Sequence, residues 1–455
     1  MSEERYLNMK DLSNWDGAYL LKTSMSMNLA DAFKNLDLNE RIVHMSHSDL
    51  DGYGCTILSE LASFVRPDQK PDPNGVEHVI PRMNKYYSFF NHSDLKKEAV
   101  YDRIARIFTE VSCDQNHRHL TIMITDIGGI TIDELVSRFR HANHGDVHFY
   151  IVDHHRHEYP KRLIEEREEG KKTGGITYVY TYDGICHAAY RDGLFKIDVM
   201  QTSSNMSATL GLHRLLACLF TPIQNVPIRQ FAELVSKYDT GHWGNWRIDK
   251  IRYMDDNNRH NAIEENVNEE ILLQMYYKHC SQLCSKKKNP ADLLRFQCRI
   301  VAALWTGNRD IAMSVTAKTA VYDSIIEMNL NYIRWVESLK RVHRNSSDEP
   351  FEVMDGVLFN MPHTEAWDQV MDIDTWPITE ENAEDIKLPY SMYAKEYLEN
   401  DPNAAKLLMK VETTKYHSCD MRSADDKYNC YEIAKLNGGG GHPRAAGFPM
   451  PEVKE

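Results

Sequence analysis

The sequence predicts an α/β protein. A mostly parallel sheet forms its N-terminal domain, a helical connector follows, and a smaller α/β domain closes the chain. Two observations carry this reading. Short runs rich in β-branched and aromatic residues (Arg41–Ser46, Leu120–Thr125 and Val147–Val152) alternate with stretches of helical period. Such a strand–helix rhythm implies parallel pairing through right-handed crossovers. And at 455 residues the chain exceeds one typical core. The expected divisions are 1–240, 241–345 and 346–455.

Taken in order, the first 40 residues are polar, with a helix expected near Leu29–Leu36. Arg41–Ser46 is the first strand, and Gly52-Tyr53-Gly54 opens a helix to about Phe64. A Pro-rich loop, Pro67 to Pro73, leads to a short strand near His78–Ile80. Helices are expected at 94–111 and Thr131–Ala142, on either side of the Leu120–Thr125 strand. After Val147–Val152 come a charged helix near Lys161–Lys171 and a strand at Ile176–Tyr182. Ser203–Phe220 reads as a helix, and Pro227 begins another that ends near Asp239. Residues 245–345 read as helical with almost no strand signal. Beyond them, Phe351–Phe359, Ala404–Val411 and Lys415–Met421 look like strands. Tyr390–Leu398 and a short segment to Leu436, capped by Asp425 or Asp426, look helical. The acidic stretch from His363 to Lys387 reads as an insertion or surface loop.

Hydrophobic residues at 42% and charged residues at 26% are ordinary for a soluble globular protein. No apolar run approaches the roughly 20 residues that span a bilayer. The opening Met1-Ser2-Glu3-Glu4-Arg5 lacks the basic and apolar regions of a signal peptide, so a cytoplasmic location is expected. The nine Cys are scattered. Cys280 and Cys284 are spaced for one helix face, where buried thiols are the simpler reading than zinc. A net charge of −14 argues against a broad basic face for duplex DNA. It leaves room for a phosphate substrate, because carboxylates that hold cations are neutralised once loaded. The Lys286-Lys287-Lys288 knot reads as a solvated loop, with a phosphate contact as the sharper alternative.

The chemistry lies at strand ends, where α/β folds hold side chains rigidly. Val147–Val152 runs into Asp153-His154-His155. Adjacent His on a turn point in different directions, so one can bind a metal while the other faces a substrate. Asp126 follows the Leu120–Thr125 strand, and His47-Ser48-Asp49-Leu50-Asp51-Gly52 follows the first strand. Asp49 and Asp51 can both reach one ion if the backbone curls around it. A helix cap would explain one of these acids and not both. Asp239 ends a helix, where the dipole disfavours negative charge and a cation partner is invited. Far downstream, Gly438-Gly439-Gly440-Gly441 is more glycine than a helix stop requires. A run without Cβ atoms lets amide N–H groups approach a phosphate, and His442, Arg444 and Arg422 can add donors.

Asp49-Leu50-Asp51-Gly52, Asp126, Asp153-His154-His155 and Asp239 resemble, in that order, the four motifs of the DHH phosphoesterase superfamily. Gly438–Phe448 resembles the glycine-rich signature of the DHH-associated domain, and Arg422-Ser423 its phosphate-contacting pair. The resemblance covers about residues 41–240 and 350–450. It implies a manganese-dependent hydrolase of phosphoric ester or anhydride bonds, with two Mn²⁺ ions expected and Mg²⁺ as an alternative. It also implies that Asp49, Asp51, Asp126, His154 and Asp239 are metal ligands, with Asp126 bridging. Asp153 would orient the site and His155 would face the scissile phosphate. Met45 stands where several branches place a ligand histidine, and His47 is the nearby substitute. Arg422, Ser423, Gly439, Gly440, Gly441, His442 and Arg444 would hold a distal phosphate. The expected activity is a phosphodiesterase on short single-stranded oligonucleotides. A cyclic-dinucleotide or small-nucleotide phosphodiesterase is the alternative, and a non-catalytic nucleotide-binding scaffold the third reading. The expected partner is short single-stranded nucleic acid or a small nucleotide, with neither duplex nor membrane; a homodimer is compatible with the sequence.

Overall fold

The computed structural model describes residues 40–64, 85–90, 97–112, 119–141, 146–155, 176–182, 185–203, 205–217, 221–287, 291–305, 313–354, 357–414 and 417–450. The elements expected at Leu29–Leu36, Pro67–Pro73, His78–Ile80 and Lys161–Lys171 lie outside them, as do Lys288 and the side chains of Cys284, Lys286 and Lys287. The chain divides into two compact units. One comprises 1–246 with 265–321, the other 247–264 with 322–455.

The first unit is built on a seven-stranded sheet. Its strands are β1 (Glu40–His47), β2 (Lys85–Phe90), β3 (His119–Thr125), β4 (Asp146–Asp153), β5 (Ile176–Tyr182), β6 (Ile185–Asp192) and β7 (Phe195–Gln201), in the order β2-β1-β3-β4-β7-β6-β5. The pairs from β2 through to β7 are parallel, and β7-β6-β5 closes the sheet antiparallel. Alternation splits the strands into two faces. Val43, Met45, Ile122, Ile124, Phe149, Ile151, Ile197 and Val199 share one core. Against it pack Val100, Tyr101, Ile104 and Phe108 of α2 (Lys97–Ser112) and Ile132, Leu135 and Phe139 of α3 (Ile132–Phe139). Each such buried side chain contributes about 1.5–3 kcal/mol. The other face carries His44, Ser46, Thr125, His148 and Asp198, which are polar yet within hydrogen-bonded networks. Over it lie α1 (Leu50–Phe64) and α4 (Ala208–Ala217). The two helices approach so closely that a Cβ on Gly54 would stand 2.3 Å from Thr209 Oγ1. α5 (Val226–Asp239) follows α4.

The hairpin β6–β7 is absent from the sequence reading. Its signal was Asp192-Gly193, a turn dipeptide between two apolar runs; Gly193 takes φ +58 there.

The helical stretch comprises α6 (Asp256–Asn266), α7 (Glu269–Lys287), α8 (Ala291–Trp305) and α9 (Val315–Ser338), shared between the two units. It ends sooner than expected, because Lys340–His343 is a strand, β8. A separate hairpin joins β9 (Phe351–Met354) to β10 (Val357–Phe359), and the single turn α10 (Glu365–Asp368) follows. The sheet of the second unit has six strands. With β8 it contains β11 (Asp372–Ile378), β12 (Leu407–Glu412), β13 (Ser418–Ser423), β14 (Gly440–His442) and β15 (Ala445–Pro449), in the order β14-β15-β13-β12-β11-β8. β11 runs parallel to β12, and the other neighbours pair antiparallel.

β11 corrects the reading of His363–Lys387 as an insertion. Its Ile373, Trp376 and Ile378 are fully buried. The buried acid within the strand is accounted for: Asp374 accepts from Arg341 Nε at 2.9 Å, Tyr397 Oη at 2.9 Å and the Ala405 amide at 2.7 Å. Pro377 is tolerated because the β8 pairing ends at Thr375, so no ladder donor is lost on that side. The helix expected up to Leu436 is α12 (Cys430–Leu436), following α11 (Tyr390–Asn400). Its cap is Asn429, which accepts from the Tyr431 amide at 3.0 Å, and not Asp425 or Asp426.

Candidate metal centre

Every acid and imidazole of this site sits at the C-terminal end of β1, β3 or β4, or at a helix end facing them. β1 delivers His47, and the chain turns at once into α1. Asp49 is the cap of that helix, with Oδ1 accepting from the Gly52 amide at 2.9 Å. Its other oxygen lies 2.6 Å from His47 Nδ1, so the acid serves cap and cluster together. Gly52 is required here by close approach: a Cβ would stand 1.9 Å from the His47 carbonyl oxygen. Asp51 is buried and receives the Ala208 and Thr209 amides at 2.8 and 2.9 Å. These are the first N–H groups of α4, whose dipole favours a carboxylate.

β3 ends in Asp126, which adopts φ +56, a left-handed conformation that Asp tolerates better than most residues. Its amide donates to Val152 O at 2.9 Å, tying it to β4. Beneath it, the Thr125 hydroxyl meets Ser46 Oγ and His44 Nε2, each at 2.8 Å. β4 ends in Asp153, whose Oδ1 is 2.6 Å from His155 Nδ1. The His154 ring lies beside that of His155, centroids 4.2 Å apart, and its Nε2 is 3.3 Å from Asp126 Oδ1, 3.4 Å from Asp239 Oδ2 and 3.9 Å from Asp51 Oδ2. Asp126 Oδ2 is 3.7 Å from His47 Nδ1. The ligand-capable atoms thus form two groups, His47–Asp49–Asp126 and Asp51–His154–Asp239. Asp126 touches both, and a third overlapping group adds His155 to Asp126 and His154.

Charge is badly balanced. Burial and then the Asp49, Asp51 and Asp239 carboxylates push the Asp126 carboxyl well above the usual range. Asp239 is raised in the same way, by burial and then by Asp51 and Asp49. Burial and the neighbouring His155 lower His154. Burial also raises Asp49, but His47 and the Gly52 amide outweigh it and hold that carboxyl far down. Burial lowers His155, yet Asp153 dominates and pushes the ring up to about 9. His155 is the more open imidazole, with 34% of its side chain exposed against 11% for His154.

Asp126 Oδ2, His154 Nε2 and Asp239 Oδ2 are buried atoms with no hydrogen-bond partner. Groups of this kind are costly unless something else binds them. Carboxylate oxygens and imidazole nitrogens without thiolate suit Mn²⁺ or Mg²⁺. The donor set therefore fits divalent cations, and the seven expected residues His47, Asp49, Asp51, Asp126, Asp153, His154 and Asp239 are brought together with His155. The polar floor of His44, Ser46 and Thr125 was not foreseen. Its signal was polar residues alternating within otherwise apolar strands. Among the described residues no group of this kind includes Cys280 or any other thiol.

The expected substrate residues lie in the second unit. Register aligns Arg422 of β13 and His442 of β14 on the same residue of β15, Ala445. The Arg422 guanidinium lies 5.2 Å from the Tyr390 ring centroid and donates to Ser391 Oγ at 2.9 Å. Ser423 Oγ donates to the Asp425 carbonyl at 3.3 Å, and Arg444 pairs with Asp426 at 2.7 Å. The His442 side chain is outside the described set. Much of the glycine run is explained by packing. Gly438 ends α12 at φ +83, and a Cβ on Gly439 would stand 2.0 Å from the Gly447 carbonyl. A Cβ on Gly441 would also meet β15, 2.6 Å from the Ala445 carbonyl. Gly438 and Gly440 face open space, and of the two only Gly440 has no positive φ to favour glycine.

No family model matches the chain, and no curated protein does. Among solved structures, the chain superposes on one described as the DHH domain of a member of the s1p family of ribosomal proteins. The TM-score is 0.52 at 12% identity, over 96% of this chain and 88% of that one. It is also similar to RecJ in complex with Mn²⁺ from Thermus thermophilus, at TM-score 0.35 and 12% identity over 98% of this chain and 55% of that one. CDC45 from Entamoeba histolytica gives TM-score 0.38 and 10% identity, over 93% and 95%. The last two superpose too loosely to bear on function. Among the described residues no helix is long and apolar enough to cross a membrane.

Proposed function

We propose that this chain, whose fold is that of the DHH superfamily, is a divalent-metal-dependent phosphodiesterase acting on short single-stranded oligonucleotides. The observation that carries the reading is the cluster of unpartnered buried ligand atoms arranged about Asp126. His47, Asp49 and Asp126 would hold one cation, and Asp51, His154 and Asp239 the other. When bound, such a pair acidifies water and neutralises phosphoryl oxygens.

The chain's own residues do the rest. The α4 amides fix both oxygens of Asp51, and the Asp126 amide bond to β4 fixes the shared ligand. Asp153 holds His155 by Nδ1, leaving its Nε2 as the donor toward a phosphoryl oxygen. In the second unit, Arg422 and the Gly440 backbone are the proposed contacts for a distal phosphate. The acidic balance of the chain favours short substrates over long duplexes.

The test is a product-resolved assay on labelled oligonucleotides of graded length with Mn²⁺, beside cyclic dinucleotides. Stepwise shortening of the linear oligomers is the expected result. Cleavage of the cyclic forms alone would move the substrate to the alternative class. Binding without turnover in any divalent metal would sink the enzymatic reading.

A further inference from the structure

The helical stretch after Asp239 is silent in sequence, but one of its helices reaches the loop that carries His47 and Asp49. Ser48 is the residue between His47 and Asp49, two of the three groups in the first ligand set. Both polar groups of its backbone are engaged. Its amide donates to the Phe90 carbonyl at the end of β2, at 2.9 Å. Its carbonyl accepts from Tyr277 Oη of α7 at 2.6 Å. The Tyr277 ring is itself wedged in place. It lies 5.4 Å from Tyr53 of α1, tilted by 48°, and 5.7 Å from Phe296 of α8. Tyr53 in turn stacks on Phe89 of β2 at 4.1 Å and 3°. Two strands and three helices of one compact unit therefore converge on a single peptide.

From this geometry we infer that Tyr277 is a positioning residue for the first cation subsite. The claim rests on the metal-centre reading above and deepens it. The phenol fixes the Ser48 carbonyl, and that fixes the direction in which the chain leaves His47 and enters Asp49. The 2.6 Å approach of His47 Nδ1 to Asp49 Oδ2 depends on that direction. The residues of the second group are fixed from other elements. Asp51 is held by α4, His154 by β4 and Asp239 by α5. Losing the Tyr277 hydroxyl therefore acts on one subsite and spares the other.

The experiment is a Mn²⁺ titration of the full chain by calorimetry and electron paramagnetic resonance, with thermal unfolding run in parallel. The wild type takes up two ions. Tyr277→Phe keeps the ring and loses only the donor. It should weaken one binding step by about 10–100-fold, the range for losing an outer-shell hydrogen bond, and leave the other unchanged. Tyr276→Phe removes the neighbouring phenol hydroxyl of the same helix, which bonds to Arg299 and not to Ser48, and should leave both steps as in the wild type. Equal weakening of both steps by Tyr277→Phe, or of neither, overturns the inference. So does a Tyr277→Phe chain that no longer unfolds cooperatively, since Tyr277 would then hold the fold and not the subsite. A wild type that takes up no Mn²⁺ removes the metal centre itself. A wild type with two ions and an indifferent Tyr277→Phe removes only the clamp.

Discussion

β4 carries a charged cluster near each end, and the two are solved in opposite ways. Near its start, His148 Nε2 lies 2.5 Å from Asp198 of β7, and Arg191 of β6 donates to both Asp198 oxygens at 2.8 and 2.7 Å. His187 Nε2 stands 3.5 Å from the same carboxylate. Burial raises the Asp198 carboxyl, but His148, His187 and Arg191 outweigh it and hold it far below the ordinary range. At the other end, Asp51, Asp126 and Asp239 gather around His154, and among the described residues no Lys or Arg pairs with them. Two of these carboxyls are raised instead of lowered. One cluster is neutralised by the chain's own cations and is complete. The other has ligand atoms to spare, which marks it as the place for cations from solution.

Substitutions with a single change of charge test this contrast. Asp126→Asn preserves shape and the left-handed backbone, which Asn tolerates. Hydrolysis of a labelled oligonucleotide in Mn²⁺ should fall by roughly 10⁴-fold or more. The same variant, stripped of metal, should unfold at a higher temperature than the wild type, by about 1 kcal/mol, because a like-charge repulsion is relieved. A drop in metal-free stability would break the contrast.

Asp198→Asn should do the reverse. It strands Arg191 and His148 in a buried site, at a cost of about 3–5 kcal/mol in chemical denaturation, while Mn²⁺ uptake stays intact. Its pH signature follows from the sign of the shift. A carboxyl depressed in the folded state adds stability above its unfolded pKa of about 3.9 and loses it as pH falls further. Acid unfolding below about pH 4 should therefore be shallower in Asp198→Asn than in the wild type. An unchanged acid limb would show that Asp198 is not the group holding that charge.

The smallest expected effect separates packing from recognition in the glycine run. Gly440→Ala meets open space, so its unfolding free energy should stay within about 0.5 kcal/mol of the wild type. Its affinity for a 5′-labelled oligonucleotide, read by fluorescence anisotropy, should nonetheless fall. Unaltered affinity would leave Gly440 with no role in substrate binding.

Much of this was legible before any coordinates. The strands that carry Asp126 and Asp153 are mostly apolar, broken by Thr121, Thr125 and His148, because a central parallel strand is buried on both faces. The ligand acids stand out since they interrupt such runs at their ends. What stayed hidden was hidden for physical reasons. β11 is masked by its acids, and the partners of Asp374, namely Arg341, Tyr397 and the Ala405 amide, are remote or outside any local pattern. The double duty of Asp49, cap and cluster member at once, cannot be read from spacing. Nor can the Tyr277 contact, which joins residues 229 positions apart.

The central claim is that the Asp126 cluster is built for cations that the chain does not supply. A Mn²⁺ titration that compares the wild type, Asp198→Asn and Asp126→Asn addresses it directly. Two ions per chain should enter the first two proteins, and Asp126→Asn should lose tight binding at both steps. Wild-type uptake by Asp126→Asn would contradict the account.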